Sequence, residues 1–372
     1  MPNLRDAFPL GLAYGKNFCN RKNEQNQILH NLEMTRSTLV SSPRRYGKTS
    51  LVLNVLRHQK APFVYVDLYA ELDEVGMANS ILSGIGGLLY KLESAPKKAF
   101  KLVSDFFSNI NLSFSFKGAD VKVHFSSARI SLSKTLLDIL KELDKLLQKK
   151  EKTAILFLDE FQRISEVSAS TTFEGVFRHI AQQTQNISFI FSGSNRHLLE
   201  AMFNDRARPF YNLCDKLILQ RIEAKHYTPF IQKRAKSKWG GALSDEVLEE
   251  IYAVTQRHPY YLNVLCSKLW YQETKPTVNY VHGIWERYAM EEKSRIMADL
   301  DNLSSNQSKL IRAIAKYGAE YLPTSKEFLS ITKFSSSSVV QSLKRLKELD
   351  YVYLDEEQQY KILDPLVETL FS

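Results

Sequence analysis

Cysteine is scarce in this 372-residue sequence, with only Cys19, Cys214 and Cys266, odd in number and far apart. That excludes a disulfide framework, forms no metal-ligand spacing, and suits a reducing compartment. No stretch approaches the roughly 18 to 20 continuous apolar residues of a membrane-crossing helix, so no membrane contact is expected. The first 21 residues carry Arg5 and Asp6 early and lack a basic region followed by an apolar run, which excludes a secretory signal. A cytoplasmic protein is the expectation. There are no internal repeats and no low-complexity linkers, so the parts of the chain are expected to pack together. Excess positive charge is missing from the C-terminal third. Residues 301–372 hold 10 acidic and 9 basic side chains, and residues 223–300 hold 10 and 11. The net +9 therefore lies within 1–222, where it can steer anions such as nucleotides.

What is present is globular: 44% apolar and 24% charged residues over a length that suits two or three domains. The first part alternates strand and helix signals. Apolar or β-branched runs at Ser37–Val40, Phe63–Leu68, Thr153–Leu158 and Ile187–Phe191 read as strands. Thr49–Gln59, 74–108 and 132–149 read as helices, the last with Leu136, Leu137, Leu140, Leu143 and Leu147 near helical spacing. Gly84, Gly86 and Gly87 inside 74–108 suggest close packing. Residues 110–126 alternate around Lys117–Asp120, a hairpin signal. Apolar strands separated by helices predict an α/β fold, a parallel sheet with helices on both faces. From about 223 the strands stop. Residues 225–300 read as helices broken at Arg257–Pro259. Helices at 304–317, 325–331 and 335–349 followed by two short strands, Tyr351–Leu354 and Gln359–Ile362, describe a winged helix.

Two motifs carry chemistry. SPRRYGKTSL at 42–51 follows the first strand and opens a helix, the context of a P-loop. Gly47 permits close backbone approach to phosphate, and backbone N–H groups at the helix start face the anion. Lys48 would reach the β- and γ-phosphates and Thr49 would ligate magnesium. Ser42, Pro43, Arg44, Arg45, Tyr46 and Ser50 complete the candidate ATP-binding segment. Ser42 stands where the pattern has its first glycine, and Pro43 removes one N–H donor. ILFLDEFQ at 155–162 is an apolar strand delivering two adjacent carboxylates, a Walker B arrangement. Asp159 would hold magnesium and Glu160 would polarise the attacking water. In SFIFSGSN at 188–195, Ser194 or Asn195 is placed to sense the γ-phosphate. Of the arginines that follow, Arg196, Arg206 and Arg208, the last is the foremost candidate for an arginine finger.

These segments, with FCNRKNE at 18–24, FSGSNRHLLEAMF, ARPFYN at 207–212, RHPYYLNVLCSKLW at 257–270 and DPLVETLF at 364–371, resemble the archaeal-type ATPase family. That family belongs to the P-loop AAA+/STAND group and is related to the initiator-type ATPases. The likeness spans nearly the whole chain, in order. It implies an ATPase core, here 1–222 with a hairpin insertion at about 110–126, a helical lid at 223–302 and a winged helix at 303–372. It further implies that Asn20 and Arg21 lie near adenine and that Pro259, in a lid motif with His258, packs near the base. Arg257 stands where a glycine is usual. Some relatives carry a nuclease after the winged helix; no Asp followed by a Glu-x-Lys pair occurs in 301–372, so none is expected there.

The expected function is an ATP- and Mg2+-dependent molecular switch or remodelling ATPase acting on a protein partner. Assembly of several copies stays open. The alternative is an ATP-regulated DNA-binding protein that reads through 335–349, with Ser335–Ser338 at its start and Lys344, Arg345 and Lys347 late. The net −1 of 301–372 weighs against strong phosphate binding there. A nucleotide binder without turnover is disfavoured because Lys48, Thr49, Asp159 and Glu160 are all present.

Overall fold

The structure, a computed structural model, describes residues 7–108, 112–117, 120–125, 131–167, 172–318, 321–355 and 357–372. The chain divides into two compact units. One comprises Arg21–Arg44 and Lys48–Leu219; the other comprises the residues up to Asn20, Arg45–Gly47 and Gln220–Ser372.

The first unit runs α1 (Lys22–Glu33), β1 (Thr38–Ser41), α2 (Lys48–Leu56), β2 (Phe63–Asp67), α3 (Glu74–Lys91), α4 (Pro96–Ser108), β3 (Leu112–Lys117), β4 (Asp120–Phe125), α5 (Leu132–Lys149), β5 (Ala154–Asp159), α6 (Arg163–Val167), α7 (Thr172–Gln183), β6 (Ile187–Gly193), α8 (Arg196–Asn204) and β7 (Asp215–Ile218). Five parallel strands form one sheet in the order β2-β5-β6-β1-β7. Every residue of β1, β5 and β6 is buried, which requires cover on both faces and explains their unbroken apolar runs. The expected α/β fold is therefore the observed one.

Local differences have physical causes. The predicted helix over 74–108 is two helices. Pro96 opens α4 as a first-turn residue, and its ring disfavours helical backbone at the residue before it. Of Gly84, Gly86 and Gly87 in α3, two are packing positions. A Cβ at Gly84 would lie 2.7 Å from Val66, and one at Gly86 would lie 2.6 Å from Val121, whereas Gly87 faces open space. Strand β7 was not anticipated, because three of its four residues are exposed and it lacks an apolar run. The hairpin is antiparallel, with Lys117 opposite Asp120; its turn, residues 118–119, lies outside the described residues.

The second unit runs α9 (Ala224–Trp239), α10 (Asp245–Thr255), α11 (Pro259–Leu269), α12 (Val278–Asp301), α13 (Ser305–Tyr317), α14 (Lys326–Thr332), α15 (Ser336–Glu348), β8 (Val352–Leu354), β9 (Tyr360–Ile362) and α16 (Pro365–Phe371). Its helices and the β8–β9 wing share one apolar core, which includes Tyr227, Ile251, Trp285, Leu310, Leu346 and Leu366. Phe8 is buried in the same core against Trp270, ring centroids 4.6 Å apart.

Candidate functional site

The loop Ser42–Gly47 joins β1 to α2. Two of its residues, Arg45 at φ 65° and Gly47 at φ 87°, take the left-handed conformation that turns successive amides towards one side. Lys48 opens α2, is buried, and donates through Nζ to the carbonyls of Ser42 (3.1 Å) and Pro43 (3.2 Å). The next residue, Thr49, donates its hydroxyl to Oδ2 of Asp159 at 2.6 Å. The first motif is thereby joined to the second. Ser50 is buried within α2.

Asp159 ends β5 and is 3% exposed. Besides Thr49, it accepts from the Ser192 hydroxyl, from the Glu160 amide (3.1 Å) and from the Tyr65 hydroxyl (3.4 Å). Burial pushes its carboxyl above the usual carboxylate range, opposed by the hydrogen bonds from Ser192 and Thr49. Burial beside Asp159 likewise raises the Tyr65 phenol. Glu160 sits at φ 52°, a left-handed backbone that costs an L-residue with a side chain about 1–2 kcal/mol. Its Oε2 accepts from the Ser194 hydroxyl (2.8 Å) and amide (3.2 Å) and from Gln162 Nε2 (2.5 Å). The end of β6 thus serves both acids: Ser192 holds Asp159, and Ser194, two residues on and on the same face, holds Glu160.

Other candidates are placed differently. Asn195 caps α8, its Oδ1 accepting from the Leu198 amide at 3.1 Å. Arg208 is paired with Glu174 of α7, through Nε (3.1 Å) and Nη2. Glu174 is 1% exposed, and burial raises its carboxyl against the opposing pull of Arg208. The guanidinium offered as an arginine finger is therefore engaged inside its own unit. Arg21 is buried, ion-paired with Glu24 at 2.9 Å, and takes left-handed backbone together with Asn20. Among the described residues no group of three or more His, Cys, Asp or Glu side chains is arranged to hold a metal. The Thr49–Asp159 pair supplies hard oxygens, the donor type magnesium takes when it keeps waters and phosphate as its remaining ligands. No helix is long and apolar enough to cross a membrane among the described residues.

Within the second unit, the loop-tip residues Arg45–Gly47 have their own partners. Arg45 lies over the Tyr260 ring at 4.2 Å, and Tyr46 packs edge-on to His258 at 4.8 Å. Arg221 donates to the Tyr46 hydroxyl (3.2 Å), to Gln256 and to the Leu363 carbonyl (2.9 Å). Pro259 is the first residue of α11, with His258 as its N-cap. Burial, then the charges of Arg221 and Arg45, push the His258 imidazole down to about 3.

Sequence reasoning missed Ser192, Tyr65 and Gln162. Strand alternation carried a signal for Ser192, which shares a face with Ser194. Tyr65 needed the pairing of β2 with β5, and that pairing is not written in either strand.

An AAA domain family matches residues 33–202, and a family described as a probable winged helix domain matches residues 297–371. The chain is an AAA-domain protein with a C-terminal winged helix. This AAA architecture is the one implied by the likeness to archaeal-type ATPases. Among solved structures the chain is similar to a Walker-type ATPase of Pyrococcus abyssi, with a TM-score of 0.71 and 20% identity over 98% of this chain and 99% of that one. It is also similar to the ORC2 protein of Aeropyrum pernix, with a TM-score of 0.56 and 14% identity over 99% and 97%. No curated protein matches the sequence of this AAA chain.

Proposed function

We propose that the protein is a magnesium-dependent ATPase that works as a molecular switch or remodeller. The observation that supports this most is the convergence of Thr49 on Asp159, and of Ser192 and Ser194 on Asp159 and Glu160. Backbone amides of the loop up to Thr49 cradle the phosphates, with Pro43 contributing none. The Lys48 ammonium exchanges its two carbonyl partners for the β- and γ-phosphates, a charge-assisted contact in place of neutral ones. Thr49 and Asp159 hold magnesium, which when bound neutralises phosphate charge. Glu160 takes a proton from the attacking water, so that the developing hydroxide adds to the γ-phosphorus as the bond to the ADP oxygen breaks. Asn20, Arg21 and Pro259 belong to the same proposal as adenine contacts.

Glu160→Gln keeps the shape and removes the base. It should bind ATP like wild type and turn over at least about a hundredfold more slowly. Equal single-turnover rates would move the base elsewhere. The same variant, held in its ATP state, is the bait with which to find a protein partner and to test assembly with copies of itself.

A second reading, ATP-regulated DNA binding, is favoured by one observation. The exposed side of α15 presents Ser337, Val340, Gln341 and Lys344, and Val340 is 55% exposed. Small polar and apolar side chains on a helix face can read base edges. A duplex shift that weakens steeply with salt would support it, and no shift at low salt would remove it.

A further inference from the structure

We propose that Gln162 is the positioning residue that decides which oxygen of Glu160 meets the attacking water, a role that rests on Glu160 being the base. Gln162 Nε2, Ser194 Oγ and Ser194 N all donate to Oε2 of Glu160. Among the described residues nothing donates to Oε1. A carboxylate oxygen offers about two lone-pair directions, so three donors saturate Oε2 and leave Oε1 as the oxygen able to accept a proton.

The orientation of the Gln162 amide follows from charge. Turned the other way, its oxygen would face the Glu160 carboxylate. As it stands, Gln162 is 4% exposed and its own Oε1 is buried with no hydrogen-bond partner among the described residues. That oxygen packs against Gly193, where any Cβ would collide with it. A buried acceptor left unpaired is destabilising. A residue serving only to fill this space beside Gly193 would do better as an apolar side chain. The amide forgoes a bond at one end and holds the carboxylate at the other. Gly193 is the strand position that lets it fit.

The strain at Glu160 fits the same role. Its backbone is left-handed, and the three bonds to Oε2 fix its side chain against Ser194 and Gln162. Without Gln162 the carboxylate can turn about its last bond, and Oε1 loses its fixed direction.

Gln162→Met keeps length and apolar bulk, removes the donor and removes the orphaned acceptor. Expected are an unchanged or higher Tm, an unchanged KM for magnesium-ATP, and a kcat lowered about tenfold to a hundredfold, the scale of a misdirected reacting group. In a Glu160→Gln background the same change should lower the rate no further. If the Met variant folds poorly, Gln162→Ala, read per ATP-binding site, should show the same loss of kcat without loss of KM. A lowered Tm with kcat retained would overturn the proposal, as would losses that multiply in the double variant. If Glu160→Gln alone turns over like wild type, the base reading fails first and this inference falls with it.

Discussion

The Thr49 hydroxyl lies 2.6 Å from Oδ2 of Asp159, although 110 residues separate the two in the chain. One residue lies in the first turn of the helix after β1 and the other ends β5, with β6 between their strands in the sheet. In the proposed ATPase this pair would hold magnesium.

Asp159→Asn keeps an acceptor for Thr49 and Ser192 but removes the charge that a cation needs. Turnover should fall, and the defect should shrink as magnesium is raised. A loss that does not respond to magnesium, measured by titration from micromolar to tens of millimolar, would separate Asp159 from the metal.

Lys48→Ala removes the one buried cation at the start of α2 that the proposed site uses for phosphate charge. ATP affinity by calorimetry should fall by tenfold or more, and turnover should be lost, since one charge-assisted contact is worth about 1.5–3 kcal/mol. Wild-type affinity would sink the phosphate-cradle assignment.

Arg208→Ala leaves the Glu174 carboxylate buried and unpaired. Removing one partner of a buried pair costs about 3–5 kcal/mol, and less here because Arg208 is partly exposed. The Tm should drop, Glu174→Gln in the same chain should restore part of it, and kcat of the folded protein should stay near wild type. Loss of turnover with Tm intact would instead return Arg208 to the phosphate site.

Acid sensitivity should run through His258. Unfolded, its imidazole takes a proton near pH 6.5; folded, only near 3. Between those values the unfolded chain binds the extra proton, so stability falls as pH drops, by up to about 1.4 kcal/mol per unit. His258→Phe, compared with wild type by thermal melts from pH 7 to 5, should lose less stability over that window. Parallel curves would sink the assignment.

How much of this was legible in the sequence depended on periodicity and on covalent neighbours. Helix α5 was placed residue for residue, because Leu136, Leu140, Leu143 and Leu147 repeat on one face and all are buried. The two acids and the P-loop residues were readable because each lies beside a strand end. What pairs with them was not. The Ser192 bond to Asp159 depends on strand order, and the Arg208–Glu174 pair depends on where α7 packs. Arg208 was read as an arginine-finger candidate, and its pairing with Glu174 was not visible because a loop arginine carries no mark of its partner. The α3 glycines were suspected as packing sites, but only the position of Val66 and Val121 separates Gly84 and Gly86 from Gly87. Gly87→Ala should accordingly raise Tm, since alanine favours helix by about 1 kcal/mol, whereas Gly84→Ala should lower it by crowding Val66. The reverse order in a melting experiment would contradict both placements.

The interior of the winged helix is continuous with that of α9 to α12. Trp285 of α12 donates to the Thr369 hydroxyl at 2.8 Å, and Tyr261 of α11 donates to Asp364 at 2.6 Å. Leu310 and Leu366 fill the same core as Ile251. A fragment beginning near 303 would carry into water the part of that interior which α9 to α12 cover, so tests of partner binding on that fragment would measure aggregation. The same continuity makes α9 to α16 a lever rather than a string of beads. A change in how α11 packs is therefore felt by α16, which Asp364 ties to Tyr261.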